Sequence, residues 1–200
     1  MAVPRRAATQ PMGFDFTHHM RRLCDDMVHR VADLRHIDMD RVAVSFSQTR
    51  KAARHGMYAS LTPLRFAGGK MHTFRRGRRW GVQRLYCPEG REMLYILSFY
   101  LPRFLELDFH EKLTTVVHEL WHISPQFDGD LRRFAGRCYA HGSSREGYDA
   151  QVERLTAEWL DLNPPQEIHA FLKSNSRELS AQYGSIHGIK IRAPKLIPIE

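Results

Sequence analysis

Five residues near the middle of the chain carry the clearest chemistry: His118-Glu119-Leu120-Trp121-His122. On a helix, side chains four residues apart lie about one turn apart on the same face. Two imidazoles so placed can meet one zinc ion, each at about 2.0–2.1 Å. Glu119 follows the first ligand and would stand beside a water held by that ion, whose pKa falls toward about 7 in such a site. A carboxylate there can accept the water's proton and return it to a leaving group. The spacing therefore points to a metal-dependent hydrolase. The competing reading is structural: two helical histidines, one packed and one exposed, with Glu119 in solvent.

A zinc site that keeps one position open needs a third protein ligand. His141 is the favoured candidate. It precedes Gly142, where the backbone can turn sharply, and the 18 residues between His122 and His141 give the chain room to return over the metal. Asp128, Glu146 and Glu153 stay open as alternatives. The extended pattern HExxHxxGxxH is absent, because Pro125 stands in place of its glycine and Asp128 in place of its last histidine, which disfavours a metzincin. Tyr139, Tyr148 and Arg137 flank His141 and are candidates to stabilise an oxyanion, although most tyrosines pack with the hydroxyl at the surface.

A second cluster, Arg75-Arg76-Gly77-Arg78-Arg79-Trp80, sets four arginines beside an aromatic ring. Such a group can grip phosphates and stack on a base; a solvated loop between strands is the simpler reading. Lys190, Arg192 and Lys195 add basic surface. The net charge of +8 and a pI near 9.7 favour anionic partners.

These residues need elements to position them. Phe14 to His36 has apolar residues at spacings of three and four and predicts an amphipathic helix, capped by Asp15 or Thr17. Arg41 to Gln48 alternates as a strand, and Met57 to Phe66 is a second strand that Pro63 pushes toward a sheet edge or bulge. Residues 67–81 read as a Gly- and Arg-rich connection, Val82 to Cys87 as a short strand, and Pro88-Glu89-Gly90 as a turn. Glu92 to Leu101 is a near-continuous apolar run, which predicts a buried strand ending at Pro102, with a short helical turn at Arg103 to Leu107. Asp108 and Glu111 predict a capped helix from Phe109 to about Ile123, stopped by Pro125. Further helices are expected over Leu131 to Tyr139, Arg145 to Leu162 and Gln166 to Lys173, then a late strand or extended arm.

With 200 residues, 42% of them apolar and 26% charged, the chain suits one ordinary globular domain. The expected division is a disordered tail over 1–13, a domain over 14–173 and a C-terminal extension over 174–200. No apolar run approaches the roughly 18 residues of a membrane span. The basic start is followed by no apolar stretch, so no signal peptide is expected. Three cysteines, far apart and without a CxxC pair, argue against a disulfide framework and point to the reducing cytoplasm.

HELWH, a spacer and a His-Gly before an amphipathic helix resemble the Spartan-like (SprT-type) metalloproteases. A closer similarity is to the phage-type metallopeptidases, through VSFSQTRKAARHGMYASLTPLRF, HELWHI and FDGDLRRFAGR, together spanning about residues 38–160. The resemblance implies His118 and His122 as zinc ligands, Glu119 as base and His141 as third ligand, on a spacer longer than in Spartan. The expected fold is α+β and zincin-like: an N-terminal helix on a small mixed or antiparallel sheet, the HExxH helix across it, and C-terminal helices closing the site. The expected function is zinc-dependent peptide hydrolysis, with a protein or peptide substrate and no membrane partner. The alternatives are a zinc hydrolase of non-peptide amides and a basic nucleic-acid-binding module without catalysis.

Overall fold

Hydrophobic spacing and local capping build most of the elements. The computed structural model describes residues 13–49, 56–134 and 145–199; residues 1–12 of the expected N-terminal tail, 50–55, 135–144 and 200 lie outside them. After a two-residue strand β1 (Phe14–Asp15), helix α1 (Phe16–Arg30) starts where the Asp15 carboxylate accepts the His18 amide at 3.0 Å. Phe16, Met20, Leu23 and Met27 form its buried stripe. The helix stops at Arg30 and not at His36. Val31 turns extended and donates its amide to Met27, and a single 3-10 turn (Ala32–Leu34) follows. The break lets Val31 and Leu34 both reach the core.

The main sheet contains β2 (Val42–Gln48) and β3 (Ala59–Pro63). Next come a hairpin, β4 (His72–Arg75) and β5 (Arg78–Val82), and then β6 (Tyr95–Leu101). The order β2-β6-β3 puts β6 in the centre, parallel to β2 and antiparallel to β3. A central strand covered on both faces must be apolar throughout, which is why the run YILSFYL reads as it does. The hairpin corrects the expectation of a loop over 67–81. Arg76 (φ 50°) and Gly77 (φ 74°) both take the left-handed turn conformation, and that pair matches the twist of two antiparallel strands. The strand expected over Val82 to Cys87 is displaced accordingly, because β5 ends at Val82.

Helix α2 (Phe109–Trp121) follows a 3-10 turn at Arg103–Glu106. Its start is the predicted reciprocal cap: Asp108 accepts the Glu111 amide at 2.7 Å, and Glu111 accepts the Asp108 amide at 3.0 Å. The helix expected from Leu131 is absent over residues 131–134, where Leu131 instead bridges Ile123. Helices α3 (Arg145–Asp161) and α4 (Gln166–His169), the latter running into a 3-10 turn (Ala170–Lys173), lie where expected. Helix α5 (Ser176–Tyr183) was not anticipated, although Asn175 and Glu178 give it the same reciprocal cap as α2. Two short strands close the chain. β7 (Ile186–His187) pairs in parallel with β1, and β8 (Leu196–Ile199) pairs with β5.

The architecture is thus α+β, with one apolar core joining α1, the mixed sheet, α2 and α3. Residues beyond 173 are tied to that body. Leu179 is in the core, the Phe46 amide donates to Ile189, and the Ile191 amide donates to the Ser45 hydroxyl. No described helix is long and apolar enough to cross a membrane.

Where β5 leaves the hairpin, Glu92 receives Arg84 through two bonds of 2.6 and 2.8 Å and Arg65 at 2.7 Å. The two guanidiniums hold its carboxyl down at about 2, the Arg84 bonds contributing most. Glu92→Gln should cost about 1–2 kcal/mol at pH 7, after allowance for the exposed Arg84. The cost should fade as the pH falls from about 4.5 toward 2, as Glu92 protonates in the unfolded and then the folded chain. Urea unfolding of both proteins across that range checks this.

Candidate metal centre

The rotation of α2 about its axis is set by Leu113, Val116, Val117 and Leu120, all completely buried. With that face in the core, His118 and His122 fall on the adjoining, partly open face one turn apart. Their Nε2 atoms stand 3.1 Å from each other, with ring planes at 82°. Two nitrogens bound tetrahedrally to one zinc ion would stand about 3.3 Å apart. The pair therefore presents nitrogen donors at nearly the separation a single ion requires, and imidazole nitrogen is a ligand type that zinc favours.

Surrounding groups hold the end of α2 that carries them. Tyr148 on α3 donates its hydroxyl to the His118 carbonyl at 3.1 Å, and its ring lies 4.9 and 5.2 Å from the two imidazoles. Burial, and then the nearby Glu119 charge, push the Tyr148 phenol well above its usual range, so it stays a neutral donor. Arg132 donates its backbone amide to the His122 carbonyl at 2.7 Å and Nε to the Trp121 carbonyl at 2.7 Å, and its guanidinium covers the Trp121 ring at 3.5 Å. The carbonyls that a helix end leaves without intrahelical partners are thereby satisfied.

Glu119 points toward β3. The Leu61 amide lies on that side and favours the ionised carboxylate, and strand parity explains why that amide is available. The Leu64 amide faces β6, where it donates to the Leu94 carbonyl. Alternate residues along β3 therefore turn Leu61 and Pro63 outward. Proline has no amide to waste in that position. Despite the Leu61 amide, burial raises the Glu119 carboxyl to about 7. Beside it, Tyr58 and Ala59 at the start of β3, Thr114 and Thr115 on α2, and Asp149 and Glu153 on α3 line a cleft of about 460 Å³ that also reaches His118.

The remaining anticipated residues divide. His141, Arg137 and Tyr139 lie outside the described residues. Described chain stops at Phe134, whose ring is 5.9 Å from that of Tyr148, and resumes with α3, which carries Tyr148. Among the described residues, no third His, Cys, Asp or Glu joins the histidine pair. Asp128 accepts the Asp130 amide and packs against Gly69. Glu146 is exposed, and Glu153 meets His110 at 2.7 Å. Arg75, Arg76, Arg78 and Arg79 sit on the β4–β5 hairpin, and none lines the cleft. Tyr148, first considered for an oxyanion, spends its hydroxyl on a main-chain carbonyl. The Leu61 amide was missed, because a backbone donor leaves no mark on residue type. No family model, no curated protein and no solved structure matches this chain.

A raised carboxyl pKa destabilises the fold once the unfolded chain ionises. In chelator-treated protein, the wild type should lose stability relative to Glu119→Gln as the pH rises from about 4.5 to about 7, then run parallel to it. The loss should be of order 2–3 kcal/mol, read by denaturant unfolding. A difference that does not change with pH would show that Glu119 is not desolvated.

Proposed function

We propose that the chain is a zinc-dependent metallopeptidase in which His118 and His122 hold the ion, His141 completes the ligand set and Glu119 is the general base. One observation carries the reading: two imidazole nitrogens converge 3.1 Å apart on a helix whose adjacent glutamate is partly buried, its carboxyl pKa raised by desolvation. Paired histidines that merely filled space would have no need of a desolvated carboxylate beside them. Zinc at that point would supply Lewis acidity, lowering the pKa of water and polarising a carbonyl.

The protein's own groups supply the rest. Glu119 takes a proton from the attacking water at a carboxylate oxygen and passes it to the departing amine. The Leu61 amide favours the ionised form of that carboxylate and Tyr148 fixes the His118 backbone. The outward edge of β3 runs past Glu119 and offers the Ala59 amide and the Ala59, Leu61 and Pro63 carbonyls to an extended peptide beside the base. That edge favours a peptide over a small amide, and it agrees with the resemblance in the sequence.

Glu119→Gln should retain stoichiometric zinc by elemental analysis and lose at least about a hundredfold in peptide hydrolysis, at the low end of what a general base contributes. His118→Ala and His141→Ala should each lose the metal. Full activity in Glu119→Gln would sink the mechanism. Retained zinc in His141→Ala would move the third ligand elsewhere.

A further inference from the structure

The β4–β5 hairpin and β8 form a three-stranded sheet apart from the histidine pair. Register divides its side chains cleanly between two faces. Arg75 stands opposite Arg78, Thr73 opposite Trp80, and Trp80 opposite Pro198. One face therefore carries Arg75, Arg78, Trp80 and Leu196, with Arg76 at the turn. The other carries His72, Phe74, Arg79 and Ile199.

Like charges directly opposite on a sheet repel. Among the described residues, no carboxylate reaches Arg75, Arg76, Arg78 or Arg79 within ion-pair distance, whereas Arg21, Arg30, Arg65, Arg84 and Arg154 each have one. The hairpin tip thus concentrates positive charge that no described carboxylate neutralises. On the first face, Arg75, Arg76, Arg78 and Leu196 surround the half-buried Trp80 in a groove of about 510 Å³.

We propose that this groove binds single-stranded nucleic acid, with Arg75 and Arg78 on successive phosphates and a base stacked on Trp80. The chemistry selects the ligand. Unneutralised guanidiniums call for a polyanion, and an indole held among them calls for one that presents flat rings. An unpaired strand offers both, while a duplex keeps its bases stacked on one another. The surface stands independently of the metallopeptidase reading.

The two faces provide a charge-matched test, using the full chain in chelator and a fluorescein-labelled oligodeoxythymidylate of about 16 nucleotides. Arg75→Gln with Arg78→Gln should weaken binding at least tenfold and flatten the slope of log affinity against log salt by about 1.4, or ~0.7 per lost phosphate contact. Trp80→Ala should weaken it at least about fivefold, and Trp80→Phe should restore most of that. Arg79→Gln and Phe74→Ala, on the opposite face, should change it less than about twofold. The exposed arginine variants leave the core untouched, so they remain informative should Trp80→Ala unfold the hairpin. Equal losses from Arg78→Gln and Arg79→Gln would overturn the proposal in favour of diffuse charge attraction. So would tighter binding to a duplex of the same length, or to phosphatidylserine vesicles, than to the single strand.

Discussion

The structure of the site depends on which face of α2 is buried. Leu113, Val116, Val117 and Leu120 pack completely, and that packing removes the freedom of the helix to rotate. Close-packed interiors resist small adjustments, so the neighbouring imidazoles inherit a fixed direction. The convergence of their Nε2 atoms is a consequence of hydrophobic burial before it is a property of the histidines. Tyr148 and Arg132 then fasten the helix end by its carbonyls, which lack partners within the helix.

The same burial creates a cost at Glu119. A carboxylate away from water is unfavourable unless something compensates, and one amide from Leu61 compensates only in part. Such tension at a buried acid is common where proton transfer is required. Its source here is the strand β3, whose alternation turns Leu61 toward the acid and leaves the amide-free Pro63 on the same side. Pro63 there costs the fold no hydrogen bond, since its missing amide would face away from β6.

The small sheet follows a different logic. Its tip is solvated on both faces and held at its base, where Glu92 clamps Arg84 and Arg65 and where Val82 packs against the cluster of Leu64, Met93 and Ile96. Rigid attachment lies below, and arginines that no described carboxylate pairs lie above. The last residues of the chain contribute to it, because β8 completes the sheet and Leu196 walls the groove.

Local chemistry made several elements legible from residue order alone. Asp108 and Glu111 announce the start of α2, the uninterrupted apolar run announces a strand covered on both faces, and the spacing of His118 and His122 announces two imidazoles on one helical face. These are short-range signals, carried by neighbours within one turn or one strand. Asn175 and Glu178 carried the same signal for α5 and were passed over. Other features were decided only by contacts distant in sequence. The sheet of the Arg76-Gly77 hairpin is completed by β8 from far along the chain, and α1 ended early because Val31 and Leu34 both had core to fill. The Leu61 amide reached Glu119 across 58 positions. Residue type records what a side chain can do. Which backbone group stands opposite it is fixed by how the layers pack, and no residue type records that.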